Sequence, residues 1–276
     1  MKIKYLGTSA AEGIPALYCG CDICNHARVA QGKEIRSRSQ ALIDDCILLD
    51  FGPDSFWHSV KFNINYNAIY TVLITHTHED HLYFHDLYCR KANRSQLPHG
   101  SPPMNVYGSA GVKSFLSPNE DGYLTKDGLL LFKQIDAFET IEVSDYLVTA
   151  FPALHKTLDP LVYAISHGGK TILYCHDSDI LPDSTFSWMK KAQYHFNLVS
   201  LDCTEGKKHI DYQGHMNFER DQTMRKLLLE RNLADDNTIF VASHFSHNGL
   251  LTHSEAELLA SEIGFVAAYD GLEIEV

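Results

Sequence analysis

The apolar positions fall into short runs separated by turn-forming residues, the pattern of buried strands. The clearest run is 69–74, Ile-Tyr-Thr-Val-Leu-Ile, which ends at a polar stretch rich in histidine. Residues 1–7 predict a first strand, followed by a Gly/Pro-punctuated loop to Pro15. Residues 39–43 and 46–53 predict a hairpin around Asp44 and Asp45. Further strands are expected at 105–108, 147–151, 197–205 and 238–241, with a hairpin of 161–166 and 171–174 turning at Gly168-Gly169. Helical spacing is read at 82–94 and after Asn217, where Phe218, Met224, Leu227 and Leu228 share a face and Asn217 is placed as the N-cap. Residues 28–38 read as an exposed basic loop, and 116–136 as an insertion or hairpin bordering a substrate pocket.

Strands interleaved with helices over 276 residues suit one large α/β domain, taken as 1–276. No apolar run reaches membrane-spanning length, and the first residues lack a signal peptide's apolar core. The formal charge of -12 disfavours duplex nucleic acid as a partner. A small anionic substrate stays compatible, because a bound cation outweighs a diffuse negative surface locally. Seven cysteines, an odd number with three of them clustered, fit a reducing compartment and a metal cluster better than a disulfide framework. A cytoplasmic location is therefore expected, and homodimer formation is allowed.

The candidate chemistry starts where the 69–74 strand ends, in Thr75-His76-Thr77-His78-Glu79-Asp80-His81. This is H-x-H-x-D-H, three imidazoles and a carboxylate delivered to one loop, and such donors bind zinc and similar divalent ions. A second cluster, Cys19, Cys21 and Cys24 in C-x-C-x-x-C, offers three thiolates of a tetrahedral zinc site and needs a fourth ligand. Other histidines and aspartates end or follow strands: Asp50, His155, the group His176, Asp177 and Asp179, then His244 and His247. Strand alternation beyond Tyr174 puts Asp177 on the face of Cys175, which favours it over Asp179 and His176. His215, ahead of a helix, is either a loop histidine bonded to backbone or a working group. His85 reads as a partly exposed helix histidine.

The H-x-H-x-D-H loop resembles that of the metallo-β-lactamase-fold hydrolases, and the resemblance runs over essentially the whole chain. It implies an α/β fold, an αββα sandwich with two metal ions at one edge. His76, His78 and His155 would bind the first ion, and Asp80, His81 and His244 the second, with Asp177 bridging. Asp50 would support the loop through hydrogen bonds to its ligands. With its C-x-C-x-x-C, the chain is most similar to the PhnP-type phosphodiesterases of phosphonate metabolism. That likeness implies a Cys3His structural zinc closed by His247, three positions after His244.

The same resemblance implies a dimetal hydrolase with two divalent ions, zinc or manganese, and one structural zinc. The expected substrate is a small phosphate ester, cyclic esters included, attacked by hydroxide held between the ions. Asp80 and His215 are the catalytic candidates, His215 as the acid that protonates the leaving oxygen. A transfer-RNA 3′-processing nuclease, a lactam or thioester hydrolase, and an accessory protein of pyrroloquinoline quinone biosynthesis are the alternatives. Contact of Arg36 or Arg38 with bound phosphate would favour the phosphodiesterase.

Overall fold

A computed structural model describes residues 1–119 and 127–276, without the side chains of 117–119. Among the described residues, fourteen strands build two seven-stranded sheets. One contains β1 (Lys2–Gly7), β2 (Gln40–Ile43), β3 (Ile47–Leu49), β4 (Thr71–Leu73), β5 (Met104–Gly108), β6 (Leu130–Gln134) and β14 (Glu273–Glu275). The other contains β7 (Thr140–Val143), β8 (Tyr146–Pro152), β9 (Leu161–His167), β10 (Lys170–Cys175), β11 (Leu198–Asp202), β12 (Ile239–Ser243) and β13 (Phe265–Ala267). Their orders are β14-β1-β2-β3-β4-β5-β6 and β13-β12-β11-β10-β9-β8-β7. Each sheet is antiparallel on one side and parallel on the other. The parallel strands β3 to β6 lie in the first sheet and β10 to β13 in the second.

Strand alternation sorts the apolar side chains into layers. Tyr5, Ile43, Ile47, Leu49 and Leu73 point inward and meet Tyr163, Ile165, Ile172, Tyr174 and Val241 of the opposite sheet. Leu42, Leu48, Val72 and Val106 point outward and pack with Val112 and Leu116 of the helix Ala110–Asn119. Behind the second sheet, Val199, Leu201 and Phe240 pack against Phe186, Met224, Leu228 and Ala256, from the helices Asp183–Lys191, Phe218–Glu230 and His253–Glu262. The result is the αββα sandwich. Among the described residues no helix is long and apolar enough to cross a membrane.

Asn217 caps its helix as its position predicts, accepting a hydrogen bond from the Arg220 N–H at 2.9 Å. Three other expectations need correction. The helix expected at 82–94 is one turn, Phe84–Leu87, followed by a 3-10 turn, Tyr88–Arg90. Leu82 is bridged to Phe51, which delays the start, and Arg90 turns its guanidinium to the carbonyls of Leu129 and Pro102. The apolar stretch in 116–136 is β6, an edge strand parallel to β5, rather than a hairpin; residues 120–126 lie outside the described residues.

The third correction concerns the basic loop. Arg36 is buried, stacks on Phe245 with 4.4 Å between guanidinium and ring centroid, and donates to Thr8 Oγ1, the Ala268 carbonyl and His253 Nδ1. Arg38 pairs with Asp54 at 2.9 Å and donates to the Ala11 carbonyl. Both guanidiniums are used in holding the fold, so neither supports the phosphate-contact reading.

Because a guanidinium cannot accept, the 3.0 Å contact from Arg36 Nη2 requires an unprotonated His253 Nδ1. Burial, with Arg36 and Lys33 nearby, lowers His253 to about 4. The unfolded chain then binds a proton near pH 6.5 that the folded chain refuses, so stability from this group is full above that pH and falls as pH drops toward 4. At about pH 5.5 the loss is expected to be about 1 kcal/mol. His253→Gln keeps an acceptor for Arg36 without titrating. Between about pH 7.5 and about pH 5.5 the wild-type melting temperature is expected to fall by about 2–4 °C more than that of His253→Gln. Equal falls would remove His253 from the account.

Candidate metal centre

The loop after β4 is shaped from beneath by Asp50, at the end of β3. Its buried carboxylate accepts from the Thr75 backbone N–H at 2.8 Å and the Thr75 hydroxyl at 2.9 Å, and pairs with His81 Nδ1 at 2.7 Å. The adjoining chain passes so close that a Cβ on Gly52 would lie 2.1 Å from the Asp80 carbonyl oxygen, so only glycine fits. With Nδ1 of His81 taken by Asp50, its Nε2 faces the interior of the loop.

Two donor groups converge there. His76 Nε2 lies 3.0 Å from His78 Nδ1, and His155 Nε2 lies 3.2 Å from the same atom. Three nitrogens around one tetrahedral zinc at ordinary bond lengths would stand about 3.3 Å apart, so this spacing fits a shared ion. The second group is Asp80, His81, Asp177 and His244, all buried. His81 Nε2 is 3.2 Å from Asp80 Oδ2 and 3.3 Å from His244 Nε2. Asp177 lies between the groups: its oxygens are 2.5 Å from His81, 3.1 Å from His244, 3.7 Å from His76 and 3.9 Å from His155.

The outward nitrogens are also held. His76 Nδ1 faces Thr75 Oγ1 at 3.0 Å, His155 Nδ1 donates to the Gly214 carbonyl at 3.0 Å, and His244 Nδ1 faces Thr204 Oγ1 at 2.8 Å. Such second contacts set ring orientation at metal sites. Asp50, Asp177 and His244 all have left-handed backbone, with φ of 66°, 48° and 61°. Each such conformation costs on the order of 1 kcal/mol, and strain of this kind collects at functional sites. Burial alone would raise the Asp177 carboxyl, but His244 and His81 outweigh it and hold it well below the usual carboxylate range. Burial, followed by repulsion from His81, pushes His76 well below the ordinary imidazole range. Asp177 and His76 are thus held in the states that divalent ions need. At His81 and His244 burial is outweighed by the carboxylates, Asp80 first at His81 and Asp177 at His244, so both are raised and an incoming cation would displace their protons.

The rivals to Asp177 are engaged elsewhere. Asp179 pairs with Arg220 at 2.8 Å, and His176 lies between the hydroxyls of Ser39 and Ser200 at 3.1 and 2.7 Å. His85 is exposed against Phe84, and Glu79 is exposed.

His215 stands beside the cluster, its ring between those of His155 and His244. Its Nδ1 is 3.0 Å from Asp202 Oδ2 and 3.3 Å from Asp177 Oδ1. Asp202, His215, Asp177 and His244 are close enough to form a ligand set of their own. Asp202, however, already accepts from the backbone N–H groups of Asp177, Thr204 and Met216 and from the Thr204 hydroxyl, besides His215. A carboxylate has about four lone-pair sites, so Asp202 is filled as an acceptor and orients His215. Desolvation opposes the charged imidazole, but Asp202 outweighs it and raises His215 to about 9.

Asp202 is the residue that sequence reasoning missed. It ends a buried parallel strand and is followed closely by Thr204, whose hydroxyl reaches a histidine. Asp50 ends β3 and accepts from Thr75 in a comparable way. That shared strand-end pattern was the available signal.

The cysteine cluster also closes. Cys19, Cys21, Cys24 and His247 place their ligand atoms within 4.8 Å of one another. His247 Nδ1 is 3.5 Å from both Cys19 Sγ and Cys21 Sγ, matching the roughly 3.5 Å between sulfur and nitrogen on one tetrahedral zinc. Backbone N–H groups of Cys21 and Ala16 donate to the sulfurs of Cys19 and Cys24. This set ties the N-terminal loop to the loop of His244, where the Ala10 N–H also donates to the Phe245 carbonyl and the Phe245 N–H to the Thr8 carbonyl. A cavity of about 470 Å³, lined by Phe51, Tyr66, Leu87 and Met104 among others, includes none of these donors in its wall.

Comparison with known proteins agrees with this geometry. A family profile described as a beta-lactamase superfamily domain matches residues 46–245. No curated protein matches the chain in sequence. Among solved structures, the chain is similar to a diphosphatase of the PhnP family, at 18% identity and TM-score 0.76, covering 100% of this chain and 98% of that one. It is similar to zinc-bound PqqB from Methylobacterium extorquens, at 19% identity and TM-score 0.74, covering 100% of both chains. It is also similar to the short form of human tRNase Z, at 18% identity and TM-score 0.66, covering 100% and 99%. At these identities the likeness is one of fold.

The separation of the two donor regions makes metal content a direct test. Cys19→Ser is expected to lower bound metal by about one ion per chain while the histidine and aspartate set keeps its own. Elemental analysis checks this, and unchanged metal content in the variant would exclude an ion at the cysteine set.

Proposed function

The chain belongs to the β-lactamase superfamily as a metal-dependent hydrolase, and on that premise we propose that it is a phosphodiesterase acting on a small phosphate ester. In this reading His76, His78 and His155 hold one divalent ion, Asp80, His81 and His244 hold a second, and Asp177 serves both. Zinc and manganese both suit these nitrogen and oxygen donors. Cys19, Cys21, Cys24 and His247 hold a structural zinc, the ion that thiolates select. When bound, the two catalytic ions supply Lewis acidity and activate water at neutral pH.

The observation that carries the reading is His215. Its Nδ1–H donates to Asp202, so the ring is fixed with Nε2 as its free end, and among the described residues Nε2 has no protein hydrogen-bond partner. The side chain is partly exposed beside a buried cluster, where it can meet a substrate. An oriented, protonated imidazole next to Asp177 is placed to give a proton to the oxygen of a departing alcohol. Phosphodiester cleavage with an alkoxide leaving group needs that proton. The PhnP-family diphosphatase among structures of similar fold supports the choice of a phosphoryl substrate by analogy. A carrier role would have no use for such a group, and the charge of -12 weighs against an RNA substrate.

His215→Ala is expected to keep its fold and metal content. It should lose about 10²–10⁴-fold in turnover on a diester with an alkoxide leaving group, and much less on bis(p-nitrophenyl) phosphate, whose leaving group departs without a proton. Equal losses on the two substrates would make His215 a phosphate-binding group, and loss of metal would make it a ligand.

A further inference from the structure

Arg220 sits in the first turn of the helix Phe218–Glu230, where the helix dipole disfavours a cation. Its guanidinium is nevertheless bonded to four separate groups. Nη1 donates to Asp179 Oδ2 at 2.8 Å, to the Tyr212 carbonyl at 2.8 Å and to the His215 carbonyl at 3.2 Å, and Nη2 donates to the Ile210 carbonyl at 3.3 Å. Three of these acceptors belong to the irregular segment 210–215, which has no helix or strand to satisfy its carbonyls. Asp179 is itself fixed, accepting from the Ile180 N–H at 2.7 Å and donating its own N–H to the Leu154 carbonyl.

Asp202 sets the ring end of His215, through Nδ1. The backbone end is set by Arg220, anchored to the loop that follows β10. We propose that Arg220 is a positioning residue for His215: through Asp179 and the carbonyls of Ile210, Tyr212 and His215 it holds the acid in register with the cluster, without contact with the reacting atoms. This rests on the reading of His215 as the acid. A displacement of about 1 Å in a catalytic group can cost about 10²-fold in rate, so the clamp matters even though it is remote from the leaving oxygen.

The test compares wild type, His215→Ala, Arg220→Ala, Arg220→Lys and the double variant on an alkyl phosphodiester and on bis(p-nitrophenyl) phosphate. Metal content and amide hydrogen exchange are measured in parallel. Arg220→Ala is expected to lower kcat on the alkyl diester about ten- to hundredfold with KM little changed, and to spare the p-nitrophenyl ester. It should retain its metal and exchange faster across 207–216. In the His215→Ala background it should add little further loss, because both changes remove the same proton transfer. Arg220→Lys, which keeps an ion pair with Asp179, should recover part of the rate, and it carries the comparison if Arg220→Ala does not fold. Equal loss on both esters, additive losses in the double variant, or loss of metal would overturn the proposal. If His215→Ala shows no leaving-group preference, the acid reading fails and takes this inference with it. If His215→Ala shows the preference and neither Arg220 variant does, only the inference fails.

Discussion

Asp177 lies where two sets of candidate metal donor atoms meet, and much of the molecule serves to keep it there. Its carboxylate is within 4 Å of His76, His81, His155, His215 and His244. Burying one ionised carboxylate costs several kcal/mol unless opposite charge compensates it. The compensation comes from imidazoles drawn from opposite sheets. His76, His78 and His81 follow β4 of one sheet, and His155 and His244 follow β8 and β12 of the other. The sandwich is thus closed at this edge by a shared electrostatic requirement, and the αL backbone at Asp50, Asp177 and His244 is the strain tolerated to meet it.

Around that centre the supporting contacts follow one plan. A carboxylate ends a parallel strand, Asp50 on β3 and Asp202 on β11, and each fixes a histidine and the backbone of the loop beside it. The hydroxyls of Thr75 and Thr204 lie between these carboxylates and His76 or His244. At the far side, Cys19, Cys21, Cys24 and His247 hold the N-terminal loop against the segment bearing His244, and Arg36 braces the same region by stacking on Phe245. These histidines can stay rigid because the groups that orient them are buried and themselves hydrogen-bonded.

Much of this was legible in the chain because it depends on local spacing. H-x-H-x-D-H after an apolar run places three imidazoles and a carboxylate within one loop, and the cysteine spacing does the same for three thiols. The pairing of His247 with Cys19 and Cys21, residues far apart in sequence, came from family likeness rather than from periodicity. What stayed hidden depends on tertiary contact. Arg36 looked like a solvated charge because nothing local announces its stack on Phe245 or its bond to His253. The helix expected at 82–94 fails because Leu82 is drawn into a bridge with Phe51. Asp202 had only its strand-end position to mark it, and Arg220 had no mark at all, since three of its four acceptors are backbone carbonyls of a loop whose path no residue pattern specifies.

The central claim is that this centre cleaves phosphodiesters. The direct measurement is a hydrolysis screen of the purified, metal-loaded protein against bis(p-nitrophenyl) phosphate, nucleoside cyclic phosphates, a lactam and a thioester. The account predicts turnover of the phosphodiesters, lost on removal of the metal, with the lactam and thioester left intact. Cleavage of the lactam or the thioester with no phosphodiester turned over would contradict it.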